Sequence, residues 1–245
     1  MEEKNLVTEA NTQDCKDLIC PICHKQKRVF IPISNSWYEV ECLCDFRKRL
    51  AKKRLEDIGD NISFENTDLD RDKSFGLAYN RAIKYVNNWE ECFKNGYGIY
   101  FVGECGCGKT HLAKCMYRAL LEKGQYCIFT SFREILQEIR YSRGELYSEK
   151  LSKIVNVPFL FIDDFGTEKV VYNGEDSYNQ EKIFQIIDKR VNLKKPIIFT
   201  SNLSFQELIE VNGLWERTVD RIVGSTTKIE IKGGSYRIKE KNIPF

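Results

Sequence analysis

From about residue 61 onward the sequence predicts an α/β domain with a mainly parallel sheet flanked by helices, and three features lead there. Helical patterns alternate with short β-branched and aromatic runs, a glycine-rich segment separates one such run from a helix, and another run ends in two adjacent aspartates. The predicted strands are Gly98–Val102, Tyr126–Thr130, Pro158–Asp163, Pro196–Ser201 and Thr226–Ile231. Helices are predicted at about 74–94, 109–123, 131–142, 176–192 and 204–222, with a break in the last near Gly213. The sequence carries no internal repeat or low-complexity segment.

The glycine-rich segment, GIYFVGECGCGKTHLAKCMYRALLEKG, sets Gly103, Gly106, Gly108, Lys109 and Thr110 in P-loop spacing, after a strand and before a helix. A triphosphate needs many donors converging on a small volume. Backbone N–H groups at a helix N-terminus supply them where glycines let the chain wrap closely. The cradle for ATP is therefore read as Gly103, Glu104, Cys105, Gly106, Cys107, Gly108, Lys109, Thr110 and His111. Lys109 reaches the β and γ phosphates, and Thr110 offers a hydroxyl to Mg²⁺, which keeps most of its waters and takes few protein ligands. Cys105 and Cys107 stand as small residues in the loop rather than as ligands, because a metal there would take the phosphate's place.

About fifty residues further on, VPFLFIDDFG resembles a Walker B motif. A buried apolar strand ending in a carboxylate places that charge beside the P-loop, so Asp163 can hold Mg²⁺ through water. Asp164 is next in line to polarise the attacking water. A further strand, KPIIFTSN, ends at Asn202, which can donate to the γ phosphate or orient that water. Asn202 or Ser204 would serve equally as the N-cap of the following helix. WERTVDRIVG then presents Arg217 and Arg221 four residues apart on one helical face, and GGSYR ends in Arg237.

Taken in order, ISFENTD, GECGCGKT, FLFIDDFG, FTSN, ERTVDRIVG and GGSYR resemble the DnaC/DnaI/IstB group of AAA+ ATPases, over about three quarters of the chain. The resemblance implies a P-loop AAA+ core with a reduced lid, and about 43 residues after Asn202 are indeed too few for a full helical lid. It also implies roles for single residues. Asn202 becomes the sensor 1 position, Arg221 the arginine finger, with Arg217 as the alternative, and Arg237 sensor 2. An arginine from one subunit reaches the γ phosphate held by its neighbour, where a fixed guanidinium stabilises charge on the transferring group. Phe64 and its neighbours would lie close to the adenine. Most AAA+ proteins carry Glu at the position of Asp164, and the shorter Asp predicts a slow ATPase.

Ahead of the core, residues 1–14 form a polar, acidic tail, and residues 15–46 are short, cysteine-studded and rich in turn signals. Such a segment is too small to fold on apolar burial alone. CPIC supplies Cys20 and Cys23, and CLC supplies Cys42 and Cys44, with strand-like stretches at Val29–Ile33 and Trp37–Val40 between them. Four thiolates suit a closed, structural, tetrahedral Zn²⁺ site, with Cys15 and His24 as spare ligands for one place. A zinc-bearing N-terminal domain before such a core resembles DnaI-type or phage replicative helicase loaders, in which that domain grips the helicase. The expected organisation is a zinc-binding, helicase-interacting domain at 1–46, a basic helical linker at 47–60 and an AAA+ ATPase domain at 61–245. Six Lys or Arg fall within the eight residues from Arg47 to Arg54, a solvated helix face or a contact to phosphate or partner.

Composition narrows the function classes. Hydrophobic residues make up 42% and charged residues 30%, and no apolar run approaches the roughly 20 residues of a membrane-spanning helix, which argues against a membrane role. The first residues lack the basic start and apolar stretch of a secretory signal, so a cytoplasmic protein is expected, and its ten cysteines then point to metal binding rather than disulfides. A formal net charge of +2 leaves nucleic-acid binding to local patches. The resemblance implies a replicative hexameric DNA helicase, single-stranded DNA and further copies of the chain as partners. Phe132, Tyr141 and Tyr178 are candidate aromatics for stacking on single-stranded bases, although core packing explains most aromatics better. Two rival readings are an IstB-like ATPase helper of a transposase and a nucleotide-dependent adaptor with negligible turnover.

Overall fold

The computed structural model describes residues 28–31, 36–39, 51–56, 58, 62–69, 72–166, 176–210 and 214–236. The expected zinc ligands Cys20, Cys23, Cys42 and Cys44, the spare ligands Cys15 and His24, and Arg237 lie outside the described residues. Within the expected zinc-binding region, β1 (Arg28–Ile31) and β2 (Ser36–Glu39) pair antiparallel, as the hairpin between the two cysteine pairs requires.

Five strands, β3 (Gly98–Gly103), β4 (Cys127–Thr130), β5 (Phe159–Ile162), β6 (Ile197–Ser201) and β7 (Thr226–Ile231), form one sheet in the order β4-β5-β6-β3-β7, all parallel. Side chains alternate across a strand. Tyr100, Val102, Leu160, Ile162, Ile197 and Phe199 therefore join the core on one face, and Ile99, Phe101, Phe159, Phe161 and Ile198 the core on the other. Burial on both sides explains why these strands read as unbroken apolar runs. Each such Phe or Leu contributes about 1.5–3 kcal/mol by leaving water.

On the second face lie α2 (Lys73–Asn87), α3 (Trp89–Asn95) and α4 (Lys109–Glu122), joined there by Ala51 of a helix over residues 51–56 (α1). Arg54 of α1 donates to the Cys127 carbonyl and the Tyr126 hydroxyl, so one cation of the basic run is committed within the fold. The first face is covered by α5 (Phe132–Arg140), α6 (Gly144–Asn156), α7 (Asp176–Asn192), α8 (Phe205–Glu210) and α9 (Glu216–Ser225).

The five core strands coincide with the predicted ones to within a residue or two, and the differences lie among the helices. The helix predicted over 74–94 is two helices that meet at Asn88. The one predicted over 204–222 is divided into α8 and α9, as the break expected near Gly213 implies. α6 was not expected: Arg143 at its N-cap makes no side-chain cap bond, and Leu146 is exposed, so its apolar stripe is weak. Phe132 is fully buried against Phe165 and is not a stacking surface, because the Ser131–Glu134 capping box turns the first residue of α5 into the core. Tyr141 is 84% exposed.

Arg190 fixes α7 to the sheet. Its guanidinium is wholly buried and donates to the carbonyls of Ile154, Val155, Val157, Pro158 and Pro196, the chain entering β5 and β6. Burial pushes its pKa down to about 9, so it stays charged at neutral pH. No helix among the described residues is long and apolar enough to cross a membrane.

Candidate nucleotide-binding site

Open parallel sheets place ligands at the carboxyl ends of their strands. Here β6 lies between β3 and β5, so the ends of three strands meet: the loop after β3, Asn202 after β6 and Asp163 after β5. The loop conformation demands its glycines. Gly106 lies at φ 81°, and a Cβ there would collide with the Ser235 side chain. Gly108, at φ 104°, sits at the N-cap of α4 and aims the first free N–H groups of that helix toward the loop.

Lys109 opens α4 and is only 5% exposed. Its ammonium donates to the carbonyls of Gly103 and Glu104 and to Asn202 Oδ1, each at 2.8 Å. An ammonium has three donors and all three are used, which is how a buried charge is tolerated. Asn202 is thereby tied to the loop, and its amide N–H₂ remains as a donor. The helix-cap duty falls instead to Ser204, whose hydroxyl accepts from Glu207 N at 3.3 Å while Glu207 Oε2 accepts from Ser204 N at 2.7 Å.

Thr110 donates to Asp163 Oδ1 at 2.9 Å. The hydroxyl and the carboxylate thus stand together where Thr110 would offer its oxygen to Mg²⁺ and Asp163 would hold the ion through water, so the pair fits the ion the sequence implies. Thr200, buried at the tip of β6, donates to the same Oδ1 at 2.6 Å, and its hydroxyl accepts from Asp164 N at 3.0 Å. Asp163 Oδ2 makes no hydrogen bond among the described residues. Asp164 is exposed and lies at φ 57°, a left-handed conformation that Asp reaches more easily than most residues. Ser201 completes the attachment by donating to the Phe165 carbonyl at 2.6 Å.

On the other side of α4, His111 Nε2 stands 2.9 Å from Thr67 Oγ1. Thr67 spends its hydrogen on the Ser63 carbonyl at 2.7 Å, so the imidazole is the donor of that contact. Phe64 packs edge-on against Tyr79 and lines a cavity of about 320 Å³ with Ser63, Asn66, Cys115 and Arg118. Cys107 is buried inside the loop and Cys105 is exposed.

The late arginines have separate surroundings. Arg221 pairs through Nε with Asp188 Oδ1 at 2.9 Å, and Arg217 stacks over Trp215 and Phe184 with its guanidinium 3.9 and 4.4 Å from the ring centroids. Among the described residues neither bonds to the P-loop of its own chain. Arg237 follows Tyr236, whose backbone N–H donates to the Gly106 carbonyl at 3.1 Å.

A strand, a glycine loop holding a buried lysine, and an acidic strand tip bonded to the loop threonine together make a nucleoside triphosphate site, and residues 47–243 match the family model for IstB-like ATP binding proteins. The chain belongs to that IstB-like family. It is 28% identical over 195 residues to the replicative helicase loader DnaC of Escherichia coli strain K12, covering 78% of this chain and 75% of DnaC. It is also 33% identical over 150 residues to an ATP-binding protein of insertion sequence IS5376 from Geobacillus stearothermophilus, covering 59% of this chain and 57% of that protein. The crystal structure of DnaI superposes with a TM-score of 0.56 at 26% identity, over 71% of this chain and 89% of that one. The five-stranded parallel sheet is thus that of the P-loop AAA+ proteins of the IstB/DnaC type.

Sequence reasoning passed over Thr200, Ser201, Asp188 and Thr67. For Thr200 the signal was present in FTSN: residues two apart on a strand share a face, so the side of β6 that leads to Asn202 also carries Thr200. Asp188 gave none, being one acid on a helix rich in charge.

Proposed function

We propose that this IstB-like protein is an ATP-dependent loader of a replicative hexameric DNA helicase. What supports the reading is two contacts made by consecutive residues, Lys109 to Asn202 and Thr110 to Asp163, in a family whose DnaC relative matches over three quarters of its own length. The β and γ phosphates of ATP take over the Lys109 ammonium from the loop carbonyls and Asn202. Asn202 is released by that exchange to orient the attacking water, and Asp164 polarises it. Thr110 and Asp163 would hold Mg²⁺, which would neutralise charge on the phosphates. Arg221 of a neighbouring copy and Arg237 of the same chain stabilise charge on the transferring group. The adenine lies on the side of Phe64.

Turnover is slow because Asp164 is one methylene shorter than Glu, and ATP acts as a switch more than as fuel. ATP-bound copies assemble in a row and hold single-stranded DNA, while the zinc unit built on Cys20, Cys23, Cys42 and Cys44 holds the helicase. Hydrolysis then releases the complex. Co-purification with a hexameric helicase, lost on deleting residues 1–46, together with phosphate release stimulated by single-stranded DNA, is the expected result. ATP binding that survives Lys109→Ala would overturn it.

A second reading is favoured by the IS5376 relative, the more identical of the two sequences compared. An ATPase helper of a transposase would use the same site, and capture of a transposase instead of a helicase would establish it.

A further inference from the structure

The ion pair between α7 and α9 does more than join two helices. Ile183 and Ile187 of α7 and Val219 and Ile222 of α9 share one core, and at the rim of that contact Asp188 meets Arg221. Both carboxylate oxygens of Asp188 are occupied: Oδ1 accepts Arg221 Nε at 2.9 Å and Oδ2 accepts Asn192 Nδ2 at 3.0 Å. The carboxylate is therefore held in one orientation. It sits two residues before Arg190, whose buried guanidinium fastens α7 to the carbonyls at the base of β5 and β6. A rigid chain of contacts thus runs from the sheet through α7 to Asp188 and on to Arg221.

What Asp188 does to Arg221 is specific. It engages Nε alone and leaves both terminal nitrogens without a partner among the described residues, on a side chain that is 45% exposed. A surface ion pair of this kind contributes little to stability. The unengaged part of the guanidinium is its terminal fork, the portion that matches phosphate oxygens. Arg217, one turn earlier, is spent differently, with its guanidinium stacked over Trp215 and Phe184.

We infer that Asp188 is the positioning residue for Arg221: it holds the side chain by Nε so that the terminal nitrogens are presented, already oriented, to the γ phosphate of ATP bound by a second copy of the chain. This rests on the proposed role of Arg221 in trans. The loss expected on removing the tether is that of a group misplaced by an ångström or so, about ten- to a hundredfold. Because the defect lies in what one copy offers another, it is curable by a neighbour.

The test measures ATP turnover and ATP affinity of full-length Asp188→Asn, Arg221→Ala and Lys109→Ala proteins, alone and mixed, with single-stranded DNA present. Asp188→Asn is expected to lower kcat about ten- to a hundredfold with KM and the melting temperature little changed. Mixing with Lys109→Ala copies, which hydrolyse nothing themselves but carry an intact Asp188–Arg221 pair, is expected to restore turnover at the Asp188→Asn sites. A structural defect within the variant chain would not be restored. If Arg221→Ala turns over ATP normally, the role of Arg221 itself fails. If Arg221→Ala is inactive while Asp188→Asn matches the wild type, exceeds it, or is not rescued by mixing, the positioning role of Asp188 is overturned and that of Arg221 survives.

Discussion

The Thr200 hydroxyl donates to Asp163 Oδ1 at 2.6 Å, and the same oxygen of Thr200 accepts the backbone N–H of Asp164 at 3.0 Å. One buried side chain on β6 thus sets the position of both acids that follow β5. Asn202 follows two residues later, so a shift of the β6 tip moves Asn202 and the acids together.

Thr200→Val keeps the shape and removes the hydroxyl. Asp163 loses one of two donors and the Asp164 N–H loses its acceptor, at a cost of about 1–3 kcal/mol in stability. Nucleotide affinity is expected to hold, since Lys109 and the loop are untouched. Turnover is expected to fall by roughly an order of magnitude or more, because the acids are no longer fixed. Thr200→Ser restores the hydroxyl and most of the rate. Isothermal titration with a non-hydrolysable ATP analogue, beside steady-state phosphate release, checks the split; equal rates for the Val and Ser variants would rule out this role.

Asp164 holds a left-handed backbone conformation, φ 57°, in the turn that follows β5. Asp and Asn enter that region at lower cost than longer side chains, which gives a physical reason for Asp rather than Glu here. Asp164→Asn therefore keeps the turn and removes only the charge. Phosphate release is expected to drop on the order of a hundredfold or more, with ATP binding and melting temperature close to wild type. A variant that still turns over at the wild-type rate would take Asp164 out of the chemistry.

How much of this was legible in the sequence depends on how local each signal is. The P-loop, the apolar strand ending in Asp163 and the strand ending in Asn202 are short continuous patterns, and the fold places all three where they were expected to meet. The two helical breaks divide on that basis: the one near Gly213 was marked by its glycine, whereas Asn88, which ends α2, looked like any polar helical residue. Thr200 and Asp188 act through partners 37 and 33 positions away, contacts that only the strand order and the α7–α9 packing create. Of the two residues that could cap α8, Ser204 does so, through its bonds with Glu207.

Arg190 carries a prediction about stability alone. Five carbonyls, at the end of α6 and ahead of β5 and β6, depend on one guanidinium, and a buried carbonyl left without a donor costs about 1–3 kcal/mol. Arg190→Met is expected to destabilise the protein by at least about 3 kcal/mol. Arg190→Lys, with three donors in place of the four N–H groups on the terminal nitrogens that Arg190 uses, is expected to lie between the two. Urea unfolding followed by circular dichroism measures this; a midpoint unchanged in Arg190→Met would show that water replaces the guanidinium at no cost.

Acid sensitivity should arise at two helix starts. Hydrogen bonds from the Ser74 side chain and backbone hold the Asp72 carboxyl below its usual range at the start of α2, and those from the Ser204 backbone and side chain do the same for Glu207 in α8. A carboxyl whose folded pKa is depressed binds its proton more readily in the unfolded chain. The stability it contributes is therefore complete above the unfolded values, about 3.9 for Asp and 4.3 for Glu, and is lost as pH falls through the lower folded ones. The effect reaches the site, since Asp72 N–H donates to the Tyr236 hydroxyl at 2.8 Å and Tyr236 N–H donates to the Gly106 carbonyl at 3.1 Å. Asp72→Asn with Glu207→Gln removes both titrations while keeping an acceptor oxygen at each position. Melting temperatures taken from pH 7 down to pH 2 are expected to fall less steeply below about pH 4 in the double variant than in the wild type. Parallel curves would mean that neither cap contributes through its charge.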